Sequence, residues 1–125
     1  MNKNYKAQLK DGREIYIPRW SVSVQYENLV QACKHLGQDD VIKISTNVNV
    51  PAAMLAIMGS DDAEVTTSMV LHFTQQARIE DKKVMGEVVE ELGMATIVEL
   101  FSHVMYSQYS DFFVSGLVKA PSQPQ

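Results

Sequence analysis

The stretch Tyr5-Lys6-Ala7-Gln8-Leu9-Lys10-Asp11-Gly12-Arg13-Glu14-Ile15-Tyr16-Ile17-Pro18 decides the fold class of this chain. Tyr5, Ala7 and Leu9 alternate with Lys6, Gln8 and Lys10, the period of a half-buried strand. Asp11-Gly12 then supplies a turn, because glycine accepts positive φ without a Cβ clash and aspartate tolerates it. Glu14 to Ile17 returns as a second strand, which Pro18 closes. A lone hairpin is marginal in water, so this one must lean on helices or on a partner's sheet edge.

Outward from the hairpin the pattern turns helical. Ser21 or Ser23 can cap a helix that runs to about Leu36 and stops at Gly37. Val22, Tyr26, Leu29, Cys33 and Leu36 fall in one stripe that suits packing on another helix. Trp20 marks the corner between strand and helix. It reads as a packing anchor, with an exposed partner contact as the sharper alternative. Residues 38–50 are ambiguous: Val41-Ile42-Lys43-Ile44-Ser45 and Asn47-Val48-Asn49-Val50 favour strand, with a loop or a distorted helix still open.

Pro51 can open a helix through Met58 that Gly59 ends. Ser60-Asp61-Asp62 opens the next, to about Ala77 or Arg78, with Val65, Met69, Phe73 and Ala77 inward. Glu80-Asp81 is expected to open a helix with Val84, Val88 and Leu92 inward, broken by Gly93. Thr96 to Tyr106 follows, with Ile97, Leu100, Phe101, Val104 and Met105 inward. Phe112, Phe113 and Leu117 extend the apolar signal. The Pro- and Gln-containing tail at 121–125 should be extended and mobile. The expected fold is α+β, mostly α: one domain over 1–120, with a hairpin at 5–18 and four or five helices over 21–118.

Charge is unevenly spread. Residues 1–37 carry six basic and three acidic side chains, whereas 38–125 carry five basic and twelve acidic, for a formal net charge of -4. An acidic helical body argues against nucleic acid as partner, because phosphate binding needs clustered Lys and Arg. Lys3, Lys6, Lys10, Arg13 and Arg19 read as a solvated face, leaving nucleic acid a minor option. Cys33 is the single cysteine, which fits a reducing compartment and a buried structural role. The polar start and the lack of an apolar run near ~18 residues predict neither signal peptide nor membrane span.

The chemistry of an enzyme is missing from the pattern. His35, His72 and His103 have no metal-ligand spacing. The acidic pairs Asp39-Asp40, Asp61-Asp62 and Glu80-Asp81 sit at expected helix ends, and Glu90-Glu91 on an outward face, so capping and solvation account for them. The glycines are scattered and form no phosphate loop. The expectation is a non-enzymatic protein with no cofactor and no metal. Seven methionines are many for this length. They either fill gaps in the core or coat a groove that receives an apolar helix from another protein. Met94 and Met105 with Phe101, Phe112 and Phe113 are the candidate protein-binding surface, joined by Trp20.

The order of these features carries a resemblance. A lysine-flanked Asp-Gly hairpin leads to Arg19-Trp20-Ser21, then to an acidic helical body. That body closes with Glu91-Leu92-Gly93-Met94-Ala95-Thr96-Ile97-Val98-Glu99-Leu100-Phe101 and Tyr109-Ser110-Asp111-Phe112-Phe113. Residues 5–113 resemble the small tail assembly chaperones of long-tailed bacteriophages, in overall pattern rather than through a fingerprint motif. The resemblance implies a helical protein of the host cytoplasm that binds the apolar, helix-forming tape measure protein until the tail tube polymerises around it. Such chaperones often have a longer frameshifted form, which here would diverge near Ala120. Self-association stays open. The rival readings are a small tail or baseplate subunit of the virion, or an acidic inhibitor or adaptor of a host protein.

Overall fold

The computed structural model describes residues 4–114. The expected tail at 121–125 and Leu117 lie outside them. The hairpin forms as β1 (Tyr5–Gln8) and β2 (Glu14–Ile17), antiparallel, with Tyr5 opposite Ile17 and Gln8 opposite Glu14. Asp11-Gly12 closes a three-residue loop: Leu9 N–H donates to Arg13 C=O at 2.8 Å, and Gly12, at φ 94°, donates to Leu9 C=O at 2.9 Å. Gly12 is thus the left-handed residue that a three-residue hairpin loop requires. The Asp11 carboxylate accepts from Arg13 N–H and pairs with its guanidinium at 2.7 Å, which holds Asp11 below the usual carboxylate range.

Five helices follow: α1 (Val22–Leu36), α2 (Gln38–Thr46), α3 (Val50–Met58), α4 (Ala63–Thr74) and α5 (Glu87–Asp111). The α+β, mostly helical class is as expected. Ser21 caps α1, Asn49 caps α3 with Pro51 in its first turn, and Asp62 caps α4. Each side chain satisfies a backbone N–H that the helix leaves without a partner.

Three expectations are corrected. Residues 38–46 form α2 and not a strand, because Val41, Ile44 and Ser45 recur at helical spacing and bury against α5 and α1. Packing overrides the β-branched preference of Val41, Ile42 and Ile44. The additional strands lie at β3 (Arg78–Ile79) and β4 (Lys82–Lys83), where a helix was expected to start. Glu80 and Asp81 are the turn between them, both at positive φ (50° and 68°), as a two-residue hairpin turn demands. Glu80 holds the turn to β2: its N–H donates to Glu14 C=O and its carboxylate accepts from Glu14 N–H. The sheet order is β1-β2-β3-β4. Finally, the buried line of α1 is Asn28, Ala32 and Leu36, while Val22 and Tyr26 of the expected stripe are exposed. On α4, Val65 is likewise exposed and Thr66 takes its place inside.

The helix α5 is the axis of the core. Helices α2, α3 and α4 pack on it, and the hairpin covers another side. Lys10 N–H donates to Glu99, and the Tyr5 hydroxyl meets His103 Nδ1 at 2.9 Å. Gln108, almost fully buried, ties the strand-to-helix corner to α5. Its amide donates to Pro18 C=O at 2.9 Å, and its carbonyl oxygen accepts from Trp20 N–H at 3.1 Å and from the Gln25 amide at 3.2 Å.

Candidate functional site

Gly93 breaks α5 as expected. It sits at φ 82°, ψ 165°, a region that only glycine enters without strain. The segment Glu87–Leu92 therefore leaves the axis followed by Met94 onward, and a groove opens beside the break. Val89, Met94, Ile97 and Val98 of α5 form one wall. Val70 and Leu71 of α4 form the other, and Ile57 of α3 closes one end. Thr67 and Glu90 are the polar side chains on its margin. The cavity is ≈ 380 Å³, within the size of sites that hold a few large side chains.

Large apolar groups stand in water on the elements that build this groove. Met94 is 71% exposed, and Leu55 and Met58, one turn apart on α3, are 69% and 75% exposed. Full burial of such a side chain is worth about 1.5–3 kcal/mol, so each one that a partner covers adds to binding. A second apolar surface runs along α1, where Val22, Tyr26 and Val30 recur every four residues on the outward side. A larger cavity of ≈ 640 Å³ lies on the outer face of the sheet. Its walls mix Lys6 and Arg78 with Glu14, Glu80 and Asp81, groups that water already solvates well. The helical groove is therefore the better candidate.

The expected protein-binding residues divide in two. Met94 and Phe112 are exposed. Phe101 and Met105 have no exposed surface and Phe113 is 4% exposed, so none of the three can meet a partner without unfolding. The reason is position: Leu100 to Met105 are all buried in the middle of α5, with the Phe101 ring tilted against Phe73 at a centroid distance of 5.8 Å. Trp20 is half-buried and packs edge-on against Phe73 at 5.4 Å and Tyr109 at 6.2 Å, the role of a packing anchor. The structure does not gather these six residues into one surface. It places Val89 beside Met94 in the groove and leaves Leu55 and Met58 exposed on α3, the helix that closes one end of it. The Met54-Leu55 and Met58 run before Gly59 was the sequence signal for the two α3 residues.

Titratable groups inside the fold are few. Burial holds His103 below its ordinary value, against a smaller opposing pull from Glu99. Burial also pushes the Cys33 thiol up, which keeps it protonated and a poor nucleophile. Tyr109 is pushed far up by burial, its hydroxyl donating to Gln25 C=O at 2.7 Å. Among the described residues, no group of three or more His, Cys, Asp or Glu is placed to hold a metal ion. No helix of the described residues is long and apolar enough to cross a membrane.

Comparison of the chain with protein-family models, with curated proteins and with solved structures finds no match.

Proposed function

We propose that this protein is a tail assembly chaperone that holds apolar helical segments of a phage tape measure protein in the host cytoplasm until the tail tube closes around them. The observation that carries the reading is the apolar groove at the Gly93 break, with Met94, Leu55 and Met58 exposed on the elements that form it. Methionine side chains adapt to varied apolar partners because they are unbranched and polarisable. A holder of many similar helices needs that tolerance, and it needs no bond-making chemistry. The test is co-expression of the chain with a tape measure fragment that is insoluble alone. Appearance of the fragment in a soluble complex is the expected result. A fragment that stays insoluble beside abundant, folded chain overturns the proposal.

A second reading has one observation in its favour. Among the described residues strand β1 pairs only with β2 and stands at the edge of the sheet, where a further strand can add. A virion subunit could dock through that edge. Mass spectrometry of purified particles beside infected-cell lysate separates the two: a fixed copy number in particles selects the structural subunit, and presence in lysate alone selects the chaperone.

A further inference from the structure

The groove has a chemical signature beyond its apolar walls. No Lys or Arg occurs between Ile44 and Ala77, or between Val84 and Val114. These two stretches contain α3, α4 and α5, and the charges they carry are Asp61, Asp62, Glu64, Glu87, Glu90, Glu91, Glu99 and Asp111. Glu90 is the charged residue on the groove margin. Glu87 lies three residues from Glu90 and four from Glu91 on the same short segment, and all three are exposed. Residues at those spacings are neighbours on a helix surface, and like charges there disfavour the helix. Among the described residues the ion pair within 4.0 Å joins Arg13 to Asp11, so no described cation pairs with these three carboxylates. The helix dipole accounts for an acid in the first turn of α5. It does not account for Glu91, nor for the absence of any cation along α3 and α4.

Deepening the proposed function, and resting on its premise that the groove receives a helix, we infer that the occupant is an amphipathic helix whose apolar face is flanked by Lys or Arg. Its apolar side chains fill the space between Val70, Val89 and Met94. Its long basic side chains lie along the apolar rim and place their charges toward Glu90, with Glu87 and Glu91 adding to the negative field of the same segment. Apolar burial supplies the affinity and the one-signed rim selects the partner, since charge complementarity chiefly sets specificity and encounter rate.

The probes are two synthetic helical peptides of about five turns, roughly 18 residues. They share a Leu/Ala apolar face and differ only in flanking Lys or flanking Glu. Binding to the full chain is read by fluorescence anisotropy. The Lys peptide should bind about tenfold tighter than its Glu twin, and the gap should close as ionic strength rises toward ~1 M, where the screening length is about 3 Å. The variant Glu87→Gln/Glu90→Gln/Glu91→Gln should bind both peptides alike. Met94→Ser should weaken both, with an unchanged circular dichroism spectrum. Equal affinity of the two peptides for the parent chain, a Lys preference that survives the triple substitution, or indifference to Met94→Ser overturns the inference. Failure here is distinct from failure of the chaperone reading. A tape measure fragment held equally by the parent and the triple variant leaves that reading standing. A Lys peptide held at the groove while the fragment stays insoluble leaves the inference standing alone.

Discussion

Substituting Phe101 by Ala and, separately, Met94 by Ser should split stability from binding. Phe101 is wholly enclosed in the middle of α5, with its ring near Phe73. Truncating an enclosed Phe costs about 3–5 kcal/mol, from lost burial and the cavity left behind. A protein of this size has roughly 5–15 kcal/mol in total, so Phe101→Ala should lose a large share of its stability. Met94 is 71% exposed, and substitutions at such positions fall within about 0.5 kcal/mol. Urea titration followed by circular dichroism gives both values. Co-expression with a tape measure fragment then reads binding, where Met94→Ser should fail while folded. A Phe101→Ala variant within about 1 kcal/mol of its parent that nevertheless loses the fragment would show that Phe101 faces the partner, and the assignment of core and surface would be wrong.

Gln108→Met keeps the shape but removes three hydrogen bonds from the corner between Pro18 and Gln25; at about 1 kcal/mol each, the urea midpoint should fall by an equivalent of ~2–4 kcal/mol, and a loss under ~0.5 kcal/mol would deny the clamp. His103 is held below 6.5 by burial, so the unfolded chain takes up a proton that the folded chain resists. The stability this lends is full above the unfolded value of 6.5 and is lost as pH falls from there through the lower folded value. Melting temperature should therefore drop below pH 6.5, and His103→Gln should flatten that part of the profile. Gly93→Ala places a side chain at φ 82°, at a cost of about 1–3 kcal/mol unless α5 straightens. Either result should weaken helix binding, and a variant that binds peptide as the parent does would separate the groove from the break.

The hairpin was legible because alternation and turn chemistry agree over a short stretch. Gly93 was legible because glycine after an apolar helical run is a local signal. Other elements were settled by distant packing. Val41-Ile42-Lys43-Ile44 fits strand and helix alike, and only the neighbouring α5 and α1 make it helical. The β3–β4 hairpin has two-residue strands and no glycine in its turn, so its sequence carries no pattern; its pairing with β2 holds it. The candidate site was half legible for the same reason. Met94 and Phe112 stand exposed, but every residue from Ile97 to Met105 except Glu99 is buried. Periodicity cannot separate core from surface on such a helix.

The most direct test of the central claim is a triple substitution, Leu55→Ser/Met58→Ser/Met94→Ser, assayed by light scattering on complexes with a co-expressed tape measure fragment. The three side chains already stand in water, so the variant should fold as the parent does. An apolar holding surface requires a soluble, defined complex for the parent and none for the variant. A variant that holds the fragment as well as the parent would contradict it.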